Sequence, residues 1–108
     1  MKRDYFIRCG IAGFSYYEGA IAFSELKIGT ELSLKREPTN TYDKHAIMLF
    51  LNDFKLGYIP KGDNRKLSIL LKHGGVEFEA RVQKVDENEH PESQVEVIIY
   101  LLTPDKEV

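Results

Sequence analysis

A chain of 108 residues is long enough for one hydrophobic core and too short for two. Its 43% apolar and 30% charged residues are those of an ordinary water-soluble globular domain, and no apolar run nears the roughly 20 residues that span a bilayer. The net charge of −2 excludes a strong nonspecific coat on duplex nucleic acid, which needs a surplus of cations.

Tyr5–Phe14 reads as a first strand with bends at Gly10 and Gly13. Its cysteine, Cys9, has no second cysteine for a disulfide or a zinc pair and is expected to be a buried, inert thiol. Tyr16-Tyr17-Glu18-Gly19 is a connection, and Ala20–Leu26 fits either a short helix or a loop. Glu31–Arg36 alternates as a half-buried strand. After a polar loop comes Ala46–Leu51, apolar on both faces, which Asn52-Asp53 turns into a hairpin partner, Phe54–Ile59.

Pro60-Lys61-Gly62 stops that strand. Asp63 or Asn64 then caps a helix to about His73, with Leu67, Leu70 and Leu71 as its apolar face. Gly74-Gly75 supplies the left-handed stop. Val76–Val82 is a fifth strand, residues 86–93 an acidic loop, and Gln94–Leu102 the last strand. The expectation is a mainly β fold with one or two helices, a small six-stranded OB-like or SH3-like barrel. It forms a single domain over residues 1–103, with 104–108 as a short tail.

The polar loop is the segment that asks for a function. Arg36-Glu37-Pro38-Thr39-Asn40-Thr41-Tyr42-Asp43-Lys44-His45 packs bases, carboxylates, an amide and a phenol between two strands, the usual place for a binding site. Residues 1–81 hold thirteen Lys/Arg against ten Asp/Glu, while residues 82–108 hold two against seven. The cations thus concentrate in and after the loop. A strand end of nucleic acid needs a fixed carboxylate or amide for its hydroxyl, an aromatic face for its base, and cations for its phosphates. Asp43 and Asn40 suit the first need and Tyr42 the second; Arg36, Lys44 and Lys61 suit the third, and Tyr16 or Tyr17 can add an aromatic wall. The same residues also allow a plainer reading, in which Asn40 and Asp43 hold the turn through side chain to backbone bonds.

Signals for catalysis are weak. His45, His73 and His90 lie on different elements without metal-ligand spacing, and the serines lack a nucleophile elbow. There is no phosphate-binding Gly-x-x-x-x-Gly-Lys-Ser/Thr loop. We expect no enzymatic role and no cofactor. The basic start Met1-Lys2-Arg3 lacks the apolar segment of a signal peptide, so the cytoplasm is the expected address, with no membrane partner.

Several short motifs in order resemble the HIRAN domain. They are the Tyr16-Tyr17-Glu18-Gly19 turn, a strand ending in Arg36-Glu37-Pro38, the Asn40-x-Tyr42-Asp43 loop, Ala46-Ile47, and Gly57-Tyr58-Ile59-Pro60 before a helix. The resemblance runs from about Phe14 to Leu71. It implies a modified OB-type barrel and a nucleic-acid-binding module that captures single-stranded DNA by a free 3′-hydroxyl end, in repair or replication-fork handling. It also implies a larger DNA-processing protein as a possible partner. In that likeness Tyr42 and Asp43 receive the terminal nucleotide, Asn40 supports the loop, Tyr16 flanks the base and Lys61 meets phosphate. Two positions depart from it: Ser15 stands where DNA-binding relatives carry arginine, and the acidic stretch between Val82 and Gln94 holds no counterpart of their late aromatic. The alternative reading is a protein or peptide-interaction barrel without DNA affinity.

Overall fold

Period-two patterning builds most of this molecule. In β6 (Val95–Thr103), Val95, Val97 and Ile99 are buried while the residues between them face outward. Its neighbour β5 (Glu77–Val85) buries Ala80 and Val82 in the same rhythm. The computed structural model describes residues 1–104. The remaining strands are β1 (Lys2–Cys9), β2 (Glu31–Arg36), β3 (Ile47–Leu51) and β4 (Phe54–Tyr58). All six join one antiparallel sheet in the order β1-β6-β5-β2-β3-β4.

β2 is shared along its length: Glu31 and Leu32 pair with β5, whereas Ser33 to Arg36 pair with β3. The sheet therefore bends at β2, and the loop that follows Arg36 emerges at one end of the β2–β3 pair. β3 is buried at Ile47, Met48, Leu49 and Leu51, as its continuous apolar run predicts. Asn52 takes the left-handed conformation (φ 52°) that the β3–β4 hairpin requires.

The expected closed barrel is not formed. The sheet leaves β1 and β4 as its ends, and one isolated bridge joins Ala12, beyond the end of β1, to Tyr58 of β4. The reason is that β1 stops at Cys9 rather than running to Phe14. Beyond it the chain bends, with Gly13 at φ 75°, and only Ala12 exchanges backbone bonds with Tyr58, at 2.8 and 2.9 Å. Gly57, at φ 147°, makes that crossing possible, because a Cβ there would run into the Ala12 carbonyl and lie 2.8 Å from Ile11 Cγ2. Ile11, Phe14, Leu49, Leu56, Ile59 and Ile99 belong to the core enclosed by the bent sheet. Cys9 lies at its edge, and burial, then the nearby Asp63 charge, push its thiol up to about 12. The thiol is buried, as expected, and one raised this far carries little of the reactive thiolate near neutral pH.

Residues 20–26 resolve into one helical turn, α1 (Gly19–Ala22), continued by a 3-10 turn at Phe23–Glu25. Helix α2 (Arg65–His73) ends as predicted, with Gly74 at φ 70° donating its N–H to the Leu70 carbonyl at 3.1 Å. Its apolar face differs from expectation: Leu67 and Ser68 are buried, Leu71 packs on the core, and Leu70 faces solvent. Its start differs too, since neither Asp63 nor Asn64 caps the helix with a side chain. Asn64 has another partner. Thr103 closes β6, and of the expected tail only Pro104 lies among the described residues; 105–108 lie outside them. Among the described residues no helix is long and apolar enough to cross a membrane.

Candidate functional site

The loop between β2 and β3 is organised around Asn40. Its Oδ1 accepts the backbone N–H groups of Tyr42 and Asp43, each at 2.9 Å, and its Nδ2 donates to Glu37 Oε1 at 2.7 Å. The plainer reading of Asn40 is therefore correct as far as the turn is concerned. The bracing goes further. Tyr58 on β4 donates its hydroxyl to the same Glu37 oxygen at 2.8 Å, and Lys55 Nζ donates to the Tyr58 hydroxyl at 2.8 Å. Lys55 lies 4.3 Å from the Tyr17 ring centre and 4.4 Å from that of Tyr58, a cation held between two aromatic faces. One polar chain thus runs from the Tyr16-Tyr17 turn through β4 to the loop. Hydrogen bonds from Asn40 and then Tyr58 hold the Glu37 carboxyl below its ordinary value. Burial, then the bond to Glu37, pushes the Tyr58 phenol up.

Asp43 is fixed from both sides. Its Oδ1 accepts the His45 N–H at 2.9 Å and its Oδ2 accepts from Asn64 Nδ2 at 2.7 Å. Asn64, 2% exposed at the start of α2, gives its side chain to this carboxylate instead of to the helix end. Burial alone would raise the Asp43 carboxyl, but the His45 and Asn64 hydrogen bonds, with the Lys61 charge, bring it below its ordinary value. The result is an oriented, ionised carboxylate that is still half-exposed.

Beside these braced groups stand two free aromatics. Tyr42 is 90% and Tyr16 82% exposed. Tyr16 meets Tyr17 edge-on, with ring centres 4.9 Å apart, and Tyr17 meets Tyr58 at 5.6 Å. Among the described residues no ring contact touches Tyr42. Large planar groups left in water on a rigid base are what stacking on an unpaired base needs.

Of the eight residues singled out from sequence, Tyr16, Tyr17, Asn40, Tyr42, Asp43 and Lys61 belong to this connected region. Arg36 and Lys44 do not join it. They line a separate cleft against α2, where Arg36 Nε donates to Ser68 Oγ at 3.3 Å. Sequence reasoning missed Lys55, Tyr58 and Asn64 as parts of the site. Tyr58 stands in the Gly57-Tyr58-Ile59-Pro60 motif, but its alternation with Ile59 gives it the reading of a core residue; nothing local marks Lys55, and the place of Asn64 before a helix gives it the ordinary reading of a cap. Among the described residues no group of three or more His, Cys, Asp or Glu is placed to hold a metal ion.

A HIRAN domain model matches residues 5–101 of the chain. The crystal structure of a protein from Lactobacillus plantarum has the same fold, with a TM-score of 0.76 and 25% identity, over 93% of this chain and 95% of that one. The crystal structure of the HIRAN domain of human HLTF matches with a TM-score of 0.64 and 21% identity, over 88% of this chain and 71% of that one. A Fanconi-associated nuclease 1 homolog of Arabidopsis thaliana is 29% identical over 82 residues, or 75% of this chain, which spans 9% of that protein's length. The family match therefore extends past the motif-bearing stretch 14–71 into β1, β5 and β6. The chain belongs to the HIRAN domain family, a family of nucleic-acid-binding modules rather than enzymes.

Proposed function

We propose that this domain captures single-stranded DNA by a free 3′-hydroxyl end. The observation that carries the reading is the Asp43 carboxylate, held by His45 N–H and Asn64 while still open to solvent. A terminal hydroxyl can donate to an ionised carboxylate, whereas a terminal phosphate meets repulsion from it. Tyr42, exposed beside Asp43, stacks on the terminal base, with Tyr16 as a second aromatic surface. Lys61, close enough to Asp43 to act on its charge, meets a phosphate. Asn40 holds Tyr42 and Asp43 in register, and Tyr17 clamps the Lys55 bridge beneath.

The biological setting we infer is DNA repair or replication-fork handling, in the cytoplasm, with the domain presenting ends to a larger DNA-processing protein. The likeness to part of a Fanconi-associated nuclease 1 homolog supports that setting. The test is fluorescence anisotropy at low salt with labelled single strands ending in a 3′-hydroxyl or a 3′-phosphate, and with a blunt duplex. Selective binding of the 3′-hydroxyl strand is expected. Equal binding of all three would overturn end capture, and salt-insensitive binding of a peptide in place of DNA would establish the protein-interaction reading.

A further inference from the structure

The cleft between the motif loop and α2 is unlike the rest of the charged surface. It has a volume of about 320 Å³ and is lined by Arg36, Lys44 and Lys72, by His45 and His73, and by the hydroxyl of Ser68, with no carboxylate in its wall. Elsewhere the arginines of the sheet are neutralised: Arg3 pairs with Glu79, Arg8 with Glu96, and Arg81 with Glu31 and Glu79. Among the described residues no ion pair involves Arg36, Lys44 or Lys72. Three uncompensated cations around one concavity concentrate positive potential there.

The guanidinium is also prepared. Ser68 is 1% exposed on the inner face of α2, and its hydroxyl accepts Arg36 Nε. That bond fixes the side chain through one nitrogen and leaves both terminal nitrogens without a protein partner among the described residues, a fork suited to phosphate oxygens.

The surface near the Tyr16-Tyr17 turn is less favourable to a polyanion. There a second concavity beside Ser15 is lined by Phe14, Phe23, Pro91 and Glu87, next to the exposed Glu89 and Glu92. A strand leaving Tyr16 in that direction meets carboxylates and finds serine where a cation would help. A strand leaving along Lys44, the chain neighbour of Asp43, enters the basic cleft.

We propose that this cleft is a second phosphate subsite, which takes a phosphodiester of the bound strand on the 5′ side of the captured end and so fixes the direction in which the strand leaves. The proposal rests on the end-capture reading for the strand's polarity. Lys72 is exposed on the last turn of α2 and takes no part in the end site, so Lys72→Gln and the charge-reversing Lys72→Glu probe the cleft alone. Each is compared with the unaltered protein on a dinucleotide and an octanucleotide, both with a free 3′-hydroxyl, across a salt series, with circular dichroism to confirm the fold.

Dinucleotide binding is expected to be unchanged. Octanucleotide binding is expected to weaken roughly three- to tenfold in Lys72→Gln and further in Lys72→Glu, with the slope of log affinity against log salt reduced by about one. Unchanged octanucleotide affinity and slope, with dinucleotide binding intact, would overturn the cleft and leave end capture standing. Loss of octanucleotide affinity in Lys72→Gln, in a protein that treats 3′-hydroxyl and 3′-phosphate alike, would overturn end capture and leave the cleft as a backbone site. A protein that binds neither oligonucleotide overturns both.

Discussion

The segments 37–46 and 86–94 are both polar and turn-built, and each joins two strands of the sheet, yet they are held in different ways. In the second, Asp86 accepts the Asn88 N–H at 3.0 Å, His90 Nδ1 accepts the Glu92 N–H at 3.4 Å, and Gln94 Nε2 donates to the Glu87 carbonyl at 3.2 Å. Every one of those side-chain bonds stays inside the loop. In the first, Glu37 takes a bond from Tyr58 and Asp43 takes one from Asn64, each partner 21 residues away on another element. Local bonds shape a turn, whereas long-range bonds to rigid elements fix where its side chains point. The comparison teaches that long-range support, more than polarity, separates a site from a solvated loop.

The two loops separate most sharply at the side chain that accepts backbone N–H groups in each turn, Asn40 in the first and Asp86 in the second. Asn40→Ala removes three hydrogen bonds of the half-buried loop and is expected to destabilise the domain by about 2–3 kcal/mol, read by thermal or urea unfolding. Asp86→Ala, which removes the one side-chain bond to the Asn88 N–H in the exposed loop, is expected to cost no more than about 1 kcal/mol. Equal losses would remove the distinction between the loops.

Tyr42→Ala is expected to lose about 1–3 kcal/mol of single-strand binding with no loss of stability, because its ring touches no other ring and is 90% exposed. Unchanged affinity in a titration would refute stacking. Ser15→Arg places a forked cation beside the Tyr16-Tyr17 turn and is expected to gain about 1 kcal/mol, the size of one added charge-assisted contact. A neutral result would mean that the side chain at position 15 does not reach the captured terminal nucleotide, whichever way the rest of the strand leaves.

The smallest effect is in pH. Glu37 and Asp43 are held below their ordinary values in the folded protein, so they stay ionised after the same groups in the unfolded chain have bound protons. Their contribution to stability is complete above the ordinary carboxylate range and is lost as pH falls through the lowered values. The stability gap between the unaltered protein and Glu37→Gln is accordingly expected to be constant near neutrality and to close in acid. A gap that persists at low pH would show that the charge of Glu37 is not what holds the loop.

Much of this was legible in the sequence because it is local. Alternation marks β2, β5 and β6, Gly74-Gly75 marks the end of α2, and Asn-x-Tyr-Asp marks a side-chain-supported turn. What escaped depends on which distant elements meet. The failure of the barrel to close follows from β1 ending at Cys9, with only Ala12 reaching Tyr58. The bridge from Tyr17 through Lys55 and Tyr58 to Glu37 is a product of the fold. Arg36 and Lys44 carry the charge expected for phosphate contacts, but the bond from Arg36 to Ser68 assigns Arg36 to the α2 cleft.

In the end-capture reading we propose, a fixed Asp43 carboxylate tells a free hydroxyl end from a phosphorylated one. The most direct measurement is the ratio of affinities for 3′-hydroxyl and 3′-phosphate strands in the unaltered protein and in Asp43→Asn, which keeps the side chain's size and removes its charge. Preference for the 3′-hydroxyl in the first and loss of that preference in the second is the predicted result. A preference that survives Asp43→Asn undiminished would contradict the account.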